Sequence, residues 1–278
     1  MLSEVRSEIV YTSKALVDRL LAMNTHNRTI RQMTVDRLEK DIREGRWMLN
    51  NQGVGISRDG VTLDGQHRLL AIKQAGYPPV PLLLVWGLDP RAIATIDVGT
   101  RRQNHDTIKL LLDRDAGSRF VSACSCISNH RWNGSSWRVA DYVDRIRSID
   151  LAGVVSEYME AEGILSRACT NQRFFRSGTR AALLVFARTH PEIAHDFVKD
   201  VELGEVLDRT MPAYWLREHC LRGRHANGGS QSQLMDWAVA VRCINDFVMG
   251  RQTRMWKVNM AQDWCLQIKE RMPNVDTH

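Results

Sequence analysis

The stretch Leu63-Asp64-Gly65-Gln66-His67-Arg68-Leu69-Leu70-Ala71 decides how the first part of this chain is read. A strand ends at Leu63. Gly65 then permits a tight turn and lets a ligand approach the backbone. The apolar spacing of Leu69, Leu70 and Ile72 predicts a helix over His67 to Gln74, ended by Gly76 with Pro78 and Pro79 beyond. Such a helix presents unpaired N–H groups and a positive dipole end at its start, which together make an anion site. Gln66, His67 and Arg68 add side-chain donors in the same turn, and Asp64 beside them is suited to take a proton or to bind Mg²⁺. That combination would hold the phosphates of a nucleotide. The same residues also fit an Asp-capped helix with polar surface positions, and the motif alone leaves both readings open.

Working outward, Gly53 to Ser57 and Val61 to Leu63 flank Arg58-Asp59-Gly60, a hairpin signal. Val80 to Trp86 is short and continuously apolar, as a buried strand is. Upstream, Ser13 caps a helix carrying Ala15, Leu16, Leu20 and Leu21. Thr34 is expected to cap a second helix with Val35, Leu38 and Ile42 on one side and Gly45 past its end. Between them lies a polar stretch, Asn24 to Gln32, with Asn27, Arg28 and Arg31. Downstream, a short helix near Arg91 to Ala94 leads to Ile96-Asp97-Val98-Gly99-Thr100-Arg101-Arg102, again an acid, a glycine and paired arginines. Asn27 and Arg28, the turn at Gly65 to Arg68, and Asp97 with Arg101 and Arg102 are three polar stretches suited to converge on one phosphate-bearing ligand.

From about residue 104 onward the pattern is helical. Helices are expected near 104–113, 118–131, 136–147, 151–162, 178–189, 192–201, 212–221 and 231–249. Pro191 and Pro212 fall where a first helical turn tolerates them. Gly223 to Ser232 reads as a loop. The expected fold class is therefore α+β: an N-terminal α/β domain over residues 1–112, followed by an all-α helical domain over 113–278.

Asn27-Arg28, Gly45 with Trp47, Leu63 to Arg68 and Ile96-Asp97 with Gly99 and Arg101 resemble the phage and bacterial "DGQHR" proteins of the ParB/sulfiredoxin superfamily. The resemblance covers about residues 10 to 112, and Leu216-Arg217-Glu218 and Ile244-Asn245 extend it into the helical part. It implies a ParB/sulfiredoxin-like domain that binds ATP, ADP or CTP, with Mg²⁺ as a companion ion. ParB partition proteins hydrolyse CTP, sulfiredoxin transfers a phosphoryl group from ATP, and a free-serine kinase of the same superfamily carries a similar Asp-Gly-His-His-Arg turn. By resemblance, His67 and Arg68 contact phosphates, and Asp64 and His67 are the catalytic candidates. Two departures matter. The reactive cysteine of sulfiredoxin and the hydrolytic glutamate of ParB both fall at Gln66. The kinase's separate catalytic glutamate has no counterpart. The resemblance also points to a phage or mobile-element pathway of DNA modification or counter-defence, with a homodimer among the expected assemblies.

The chain has 278 residues, enough for two domains with their own cores. No apolar run reaches the roughly 20 residues that a membrane helix needs. Met1 to Ile9 carries Glu4 and Glu8 and no apolar core of a secretory signal, so cytoplasmic expression is expected, in a bacterial host if phage-encoded. The six cysteines form no Cys-x-x-Cys pair. Cys124, Cys126 and His130 match no zinc spacing, so small buried hydrophobes are expected there and no resident metal.

The net charge is +6, carried by 31 Arg against 7 Lys. Arginine grips phosphate bidentately, though a GC-rich gene would also favour it. No acid lies between Glu162 and Glu192, a window holding Arg167, Arg173, Arg176, Arg180 and Arg188 around Phe174-Phe175. Helical spacing would place Arg173, Arg176 and Arg180 on one face. Arg217, Arg222, Arg224 and His225 form a second cluster, and Arg251, Arg254, Trp256 and Lys257 a third. Arg173, Arg176, Arg180, Arg222 and Arg224 are the candidate DNA contacts. The alternative for each cluster is a solvated face with its aromatics in the core.

Three functions follow. The first is a nucleotide-dependent NTPase or phosphotransferase acting on or near DNA. The second is a non-catalytic ParB-like DNA-binding or regulatory protein. The third, a metal-dependent nuclease, ranks last because Asp64 and Asp97 are the only carboxylates near the turn.

Overall fold

The computed structural model describes residues 5–25, 29–96, 103–132, 137–141, 144–171, 173–205, 207–222 and 230–253. The chain is mixed α/β at the N-terminus and helical after it. It divides into two units: Met1–Arg101 with Tyr142–Asp144, and Arg102–Asp141 with Arg145–His278. The division thus falls about ten residues before the expected boundary at 112. The helix over 104–112 belongs to the second unit.

The first unit is built on four strands: β1 (Arg6–Tyr11), β2 (Val54–Ser57), β3 (Thr62–Asp64) and β4 (Pro81–Leu88). Their order is β1-β4-β2-β3. β2 and β3 form the expected antiparallel hairpin; the Ser57 N–H donates to Val61 O at 2.8 Å across its turn. β4 runs parallel to β2, and β1 adds antiparallel to the outer edge of β4. A parallel pair needs a crossover, supplied here by β3 and α3 (Gln66–Gln74). β1 was not anticipated. Its residues are almost all exposed, so burial alternation leaves little trace in the sequence.

α1 (Lys14–Ala22) starts at Ser13 as expected, with the Ser13 hydroxyl accepting the Leu16 N–H at 3.3 Å. α2 (Gln32–Arg43) starts earlier than expected, with Arg31 rather than Thr34 as its N-cap. The core of this unit joins Val17 and Leu20, Val35 and Ile42, Val54 and Ile56, Leu69 and Ile72, and Leu82 and Leu84. Gln32, Asp36 and Gln74 form a closed side-chain network tying α2 to α3, with contacts of 2.7, 3.0 and 3.2 Å. The Gln32 and Gln74 amides hold the Asp36 carboxyl below its ordinary range.

The second unit contains α4 (Asn104–Leu112), α5 (Ser118–Asn129), α6 (Ser148–Glu157), α7 (Met159–Ala168), α8 (Ser177–Thr189), α9 (Pro191–Leu203), α10 (Pro212–Arg222) and α11 (Ser230–Val248). The expectation of helix over 136–147 fails: β5 (His130–Trp132) and β6 (Trp137–Val139) form a small antiparallel ribbon there. The single helix expected over 151–162 is the end of α6 and the start of α7. α8 is the central element, with every residue from Gly178 to Ala187 buried. A run apolar on all faces belongs in a core. Phe186, Phe197 and Phe247 cluster there, with 4.6 Å between the Phe197 and Phe247 rings. Cys124, Cys126, Cys169, Cys220 and Cys243 are buried free thiols, as expected of small apolar residues. Burial pushes the Cys126 and Cys169 thiols up to about 12. The sixth, Cys265, lies outside the described residues. No helix among the described residues is long and apolar enough to cross a membrane.

Candidate functional site

The turn at Asp64–Arg68 joins the end of β3 to the first turn of α3. Gly65 is the N-cap of α3 and has φ +98°, a conformation that side chains other than glycine rarely adopt. A Cβ on Gly65 would also sit 2.6 Å from Val54 Cγ2 and 3.1 Å from Val54 Cα. The glycine therefore serves two demands, the backbone angle and the close approach of the helix start to β2.

The motif side chains take distinct roles. Asp64 and Arg68 form an ion pair at 3.0 Å, one helical turn apart, and Arg68 also donates to Gln52 O. Both remain partly exposed. Gln66 and His67 are buried, and they hold the two ends of the polar stretch between α1 and α2. Asn24 Nδ2 donates to Gln66 Oε1 at 3.4 Å, and the Arg31 backbone N–H donates to His67 Nε2 at 3.0 Å. An N–H donor fixes Nε2 as an acceptor, so in this geometry the imidazole is neutral there. His67 acts as a side-chain cap for α2 delivered from α3, since Arg31 itself makes no side-chain cap bond. Thr62 anchors the same region from below: its hydroxyl donates to Leu20 O at 2.9 Å and its N–H to Met23 O at 3.0 Å.

Consecutive motif residues seize the flanks of the segment that carries Asn27 and Arg28. Asn27, Arg28, Asp97, Arg101 and Arg102 themselves lie outside the described residues. The sequence reading placed the His67 imidazole on phosphate. In the structure its Nε2 is committed to a backbone amide and the residue is 9% exposed. The signal missed was the need of the α2 N-terminus for an external cap, Thr34 having been read as that cap.

The candidate DNA contacts separate. Arg173 is exposed and precedes α8, with its N–H on Asn171 Oδ1 at 3.0 Å. Arg176 is the N-cap of α8 and pairs with Asp236 and Ser232. Arg180 is buried, its side chain 3% exposed, and forks onto Glu162. The three do not share an exposed helix face. α8 begins only at Ser177, and the turn that carries Arg180 is wrapped by other helices. Phe174 and Phe175 are buried edge to face at 5.0 Å, so they pack in the core and are not stacking platforms. Arg217 caps α9 through Val201 O at 2.8 Å and lies over the Phe174 ring. Arg222 is exposed and pairs with Glu218 at 3.2 Å. Arg224 lies outside the described residues. Among the described residues no group of three or more His, Cys, Asp or Glu side chains is placed to hold a metal ion.

No family model and no curated protein matches the sequence. Among solved structures the chain is similar to a Pnob8-like ParB-N domain, at 16% identity over 96% of this chain and 97% of that one, with a TM-score of 0.22.

Proposed function

We propose that the α/β unit is a ParB-like nucleotide-binding module in which the Gly65 turn and the start of α3 receive phosphate groups. The single observation behind this reading is the Gly65 geometry. A left-handed glycine seated against β2 starts the α-helix, and the part-exposed Asp64–Arg68 pair flanks that start. Helix starts of this kind favour anions. Arg68 is the phosphate-facing cation, and Asp64 is the group able to take a proton or sit beside Mg²⁺. ATP, ADP and CTP are the candidate ligands. An NTPase or phosphotransferase acting on or near DNA, in a phage or mobile-element modification or counter-defence pathway, is the activity class that fits such a site. The arginine excess of the chain supports a DNA partner.

One observation favours the second reading, a non-catalytic DNA-binding or regulatory protein. His67 Nε2 is occupied in holding the α2 N-terminus, which leaves the Asp64–Arg68 pair as the motif side chains placed to meet a nucleotide. Calorimetry with ATP, ADP, CTP and GTP plus Mg²⁺, with and without duplex DNA, tests both. Binding of at least one nucleotide that weakens at least about tenfold in Arg68→Ala, the order expected for a lost charge-assisted hydrogen bond, supports the module. Turnover lost in Asp64→Asn supports the enzyme, and binding without turnover supports the regulator. If no nucleotide binds, the module is refuted.

A further inference from the structure

The sheet of the first unit has two edges of opposite character. At β3, Thr62 and Leu63 are buried, and the Thr62 N–H donates to Met23 O at 3.0 Å, so that edge is covered. At β1 the edge is open among the described residues. Arg6, Ser7 and Glu8 are exposed, Ile9 is 62% exposed and Tyr11 72%.

The register of β1 on β4 fixes which main-chain groups face outward. The Thr12 N–H donates to Val80 O at 3.0 Å. Hydrogen-bonded pairs recur at every second residue of an antiparallel ladder, hence at Val10 with Leu82, Glu8 with Leu84 and Arg6 with Trp86. Pro81, which has no N–H, falls in an intervening pair with Tyr11. Ser7, Ile9 and Tyr11 therefore direct their N–H and C=O groups away from β4, along the open edge. Such a row is a template for another strand, and edges are commonly blunted by lysine, proline or a bulge. β1 has none of these.

Its charges are one cation, Arg6, and one anion, Glu8, on the same face. Both touch Trp86: the Arg6 guanidinium lies 5.7 Å from the ring centroid, and Glu8 accepts the indole N–H at 2.8 Å. Among the described residues neither has an oppositely charged side chain within ion-pair distance. A second copy of β1, run antiparallel along the edge about a two-fold axis, can be placed in only a few registers, because outward-facing residues must meet outward-facing residues. An axis through Arg6 or Glu8 sets like charges opposite each other. One through Ile9 or Val10 leaves Glu8 opposite an uncharged residue. An axis through Ser7 sets each Arg6 opposite the other copy's Glu8, and on the other face sets each Val5 opposite Ile9.

We propose that two copies of this chain pair edge to edge through β1, antiparallel about a two-fold axis at Ser7, so that their four-stranded sheets join into one. Main-chain hydrogen bonds supply the attraction, and the Arg6–Glu8 complementarity, made twice by the symmetry, sets the register. A contact one strand wide is small, so the dimer is reversible. The proposal does not rest on the nucleotide reading of the Gly65 turn.

The test is sedimentation of the full-length protein from about 1 μM to about 1 mM. The expected result is a monomer–dimer equilibrium within that range. Glu8→Arg and Arg6→Glu each turn both cross-strand attractions into repulsions, and each should weaken self-association at least about tenfold. Mixed together, the two variants again set opposite charges against each other, so a heterodimer should form, counted by native mass spectrometry with one variant isotope-labelled. Misfolding of either variant would not produce that recovery. Ser7→Pro removes an N–H that points away from β4, where an edge strand tolerates proline; it should abolish the dimer and leave the circular dichroism spectrum unchanged. A dimer indifferent to both single charge changes, or no heterodimer from the mixture, overturns the proposal. So does a protein that stays monomeric throughout; protection of the Ser7 and Ile9 amides from hydrogen exchange in that monomer would assign the edge to another segment of the same chain.

Discussion

Replacing Gly65 by alanine separates two physical costs that coincide at the candidate site. The first is conformational. A non-glycine residue at φ +98° pays about 1–3 kcal/mol for a sparsely populated backbone region. The second is steric. The added Cβ would lie 2.6 Å from Val54 Cγ2 and 3.1 Å from Val54 Cα, and forcing an extra carbon into a packed core typically costs about 1–3 kcal/mol. Because one of those contacts is to backbone, a rotamer change at Val54 cannot relieve it. The sum is about 2–6 kcal/mol. Gly76 supplies the control. Its φ is +88° but nothing lies within 4 Å of a Cβ built there, so Gly76→Ala should carry the conformational cost alone. Urea unfolding of the two variants, compared at matched slope, reads the difference as the steric part. Equal destabilisation by the two substitutions would refute the claim that α3 starts hard against β2, and with it the geometry on which the phosphate site is argued.

Two further outcomes follow from the helical unit. Arg180→Ala leaves the Glu162 carboxylate without its partner in a largely buried setting and should destabilise by about 3–5 kcal/mol, while exposed Arg173→Ala should stay within about 0.5 kcal/mol; urea midpoints that did not separate the two would show that Arg180 is not a core residue. His130 is buried edge-on to Trp237 at 5.3 Å, and burial lowers its pKa to about 4. The fold therefore favours the neutral ring. The contribution is complete above the unfolded value of about 6.5 and is lost as pH falls from there through about 4, for a total of roughly 3 kcal/mol. Urea midpoints measured from neutral pH down to about pH 4 should fall more steeply in the wild type than in His130→Phe, and parallel curves would contradict the assignment.

The elements around the motif were legible because they carry local signals of their own. The Asp59-Gly60 hairpin, the Ser13 cap, the apolar run of β4 and the start of α3 at a glycine all stand in the sequence and in the structure. What escaped was set by distant partners. β1 is exposed along most of its length and exists because β4 offers an edge. The ribbon of β5 and β6 replaced an expected helix because two three-residue strands give too short a pattern to register as alternation. At the site, the residue types were legible and their partners were not. Histidine in a phosphate-like turn suggests a donor, but an unsatisfied helix start some thirty residues upstream uses it as an acceptor. Arginines spaced three and four apart suggest one basic face, but a helix start at Ser177 and the pairing of Arg180 with a half-buried glutamate at 162 divide them.

The pairing of β1 with β4 sets a schedule for biosynthesis. Tyr11 sits opposite Pro81 and Arg6 opposite Trp86, so the first strand of this unit to leave the ribosome waits for a partner seventy to eighty residues downstream. At ~5–20 residues per second, that is a delay of several seconds. During it, Ile9, Val10 and Tyr11 have no sheet to join, and the β2–β3 hairpin can assemble without them. The pairing of β1 is therefore among the latest made in the first unit, and a nascent chain stalled before residue 81 would hold the Gly65 turn without the strand that joins β1 to β2.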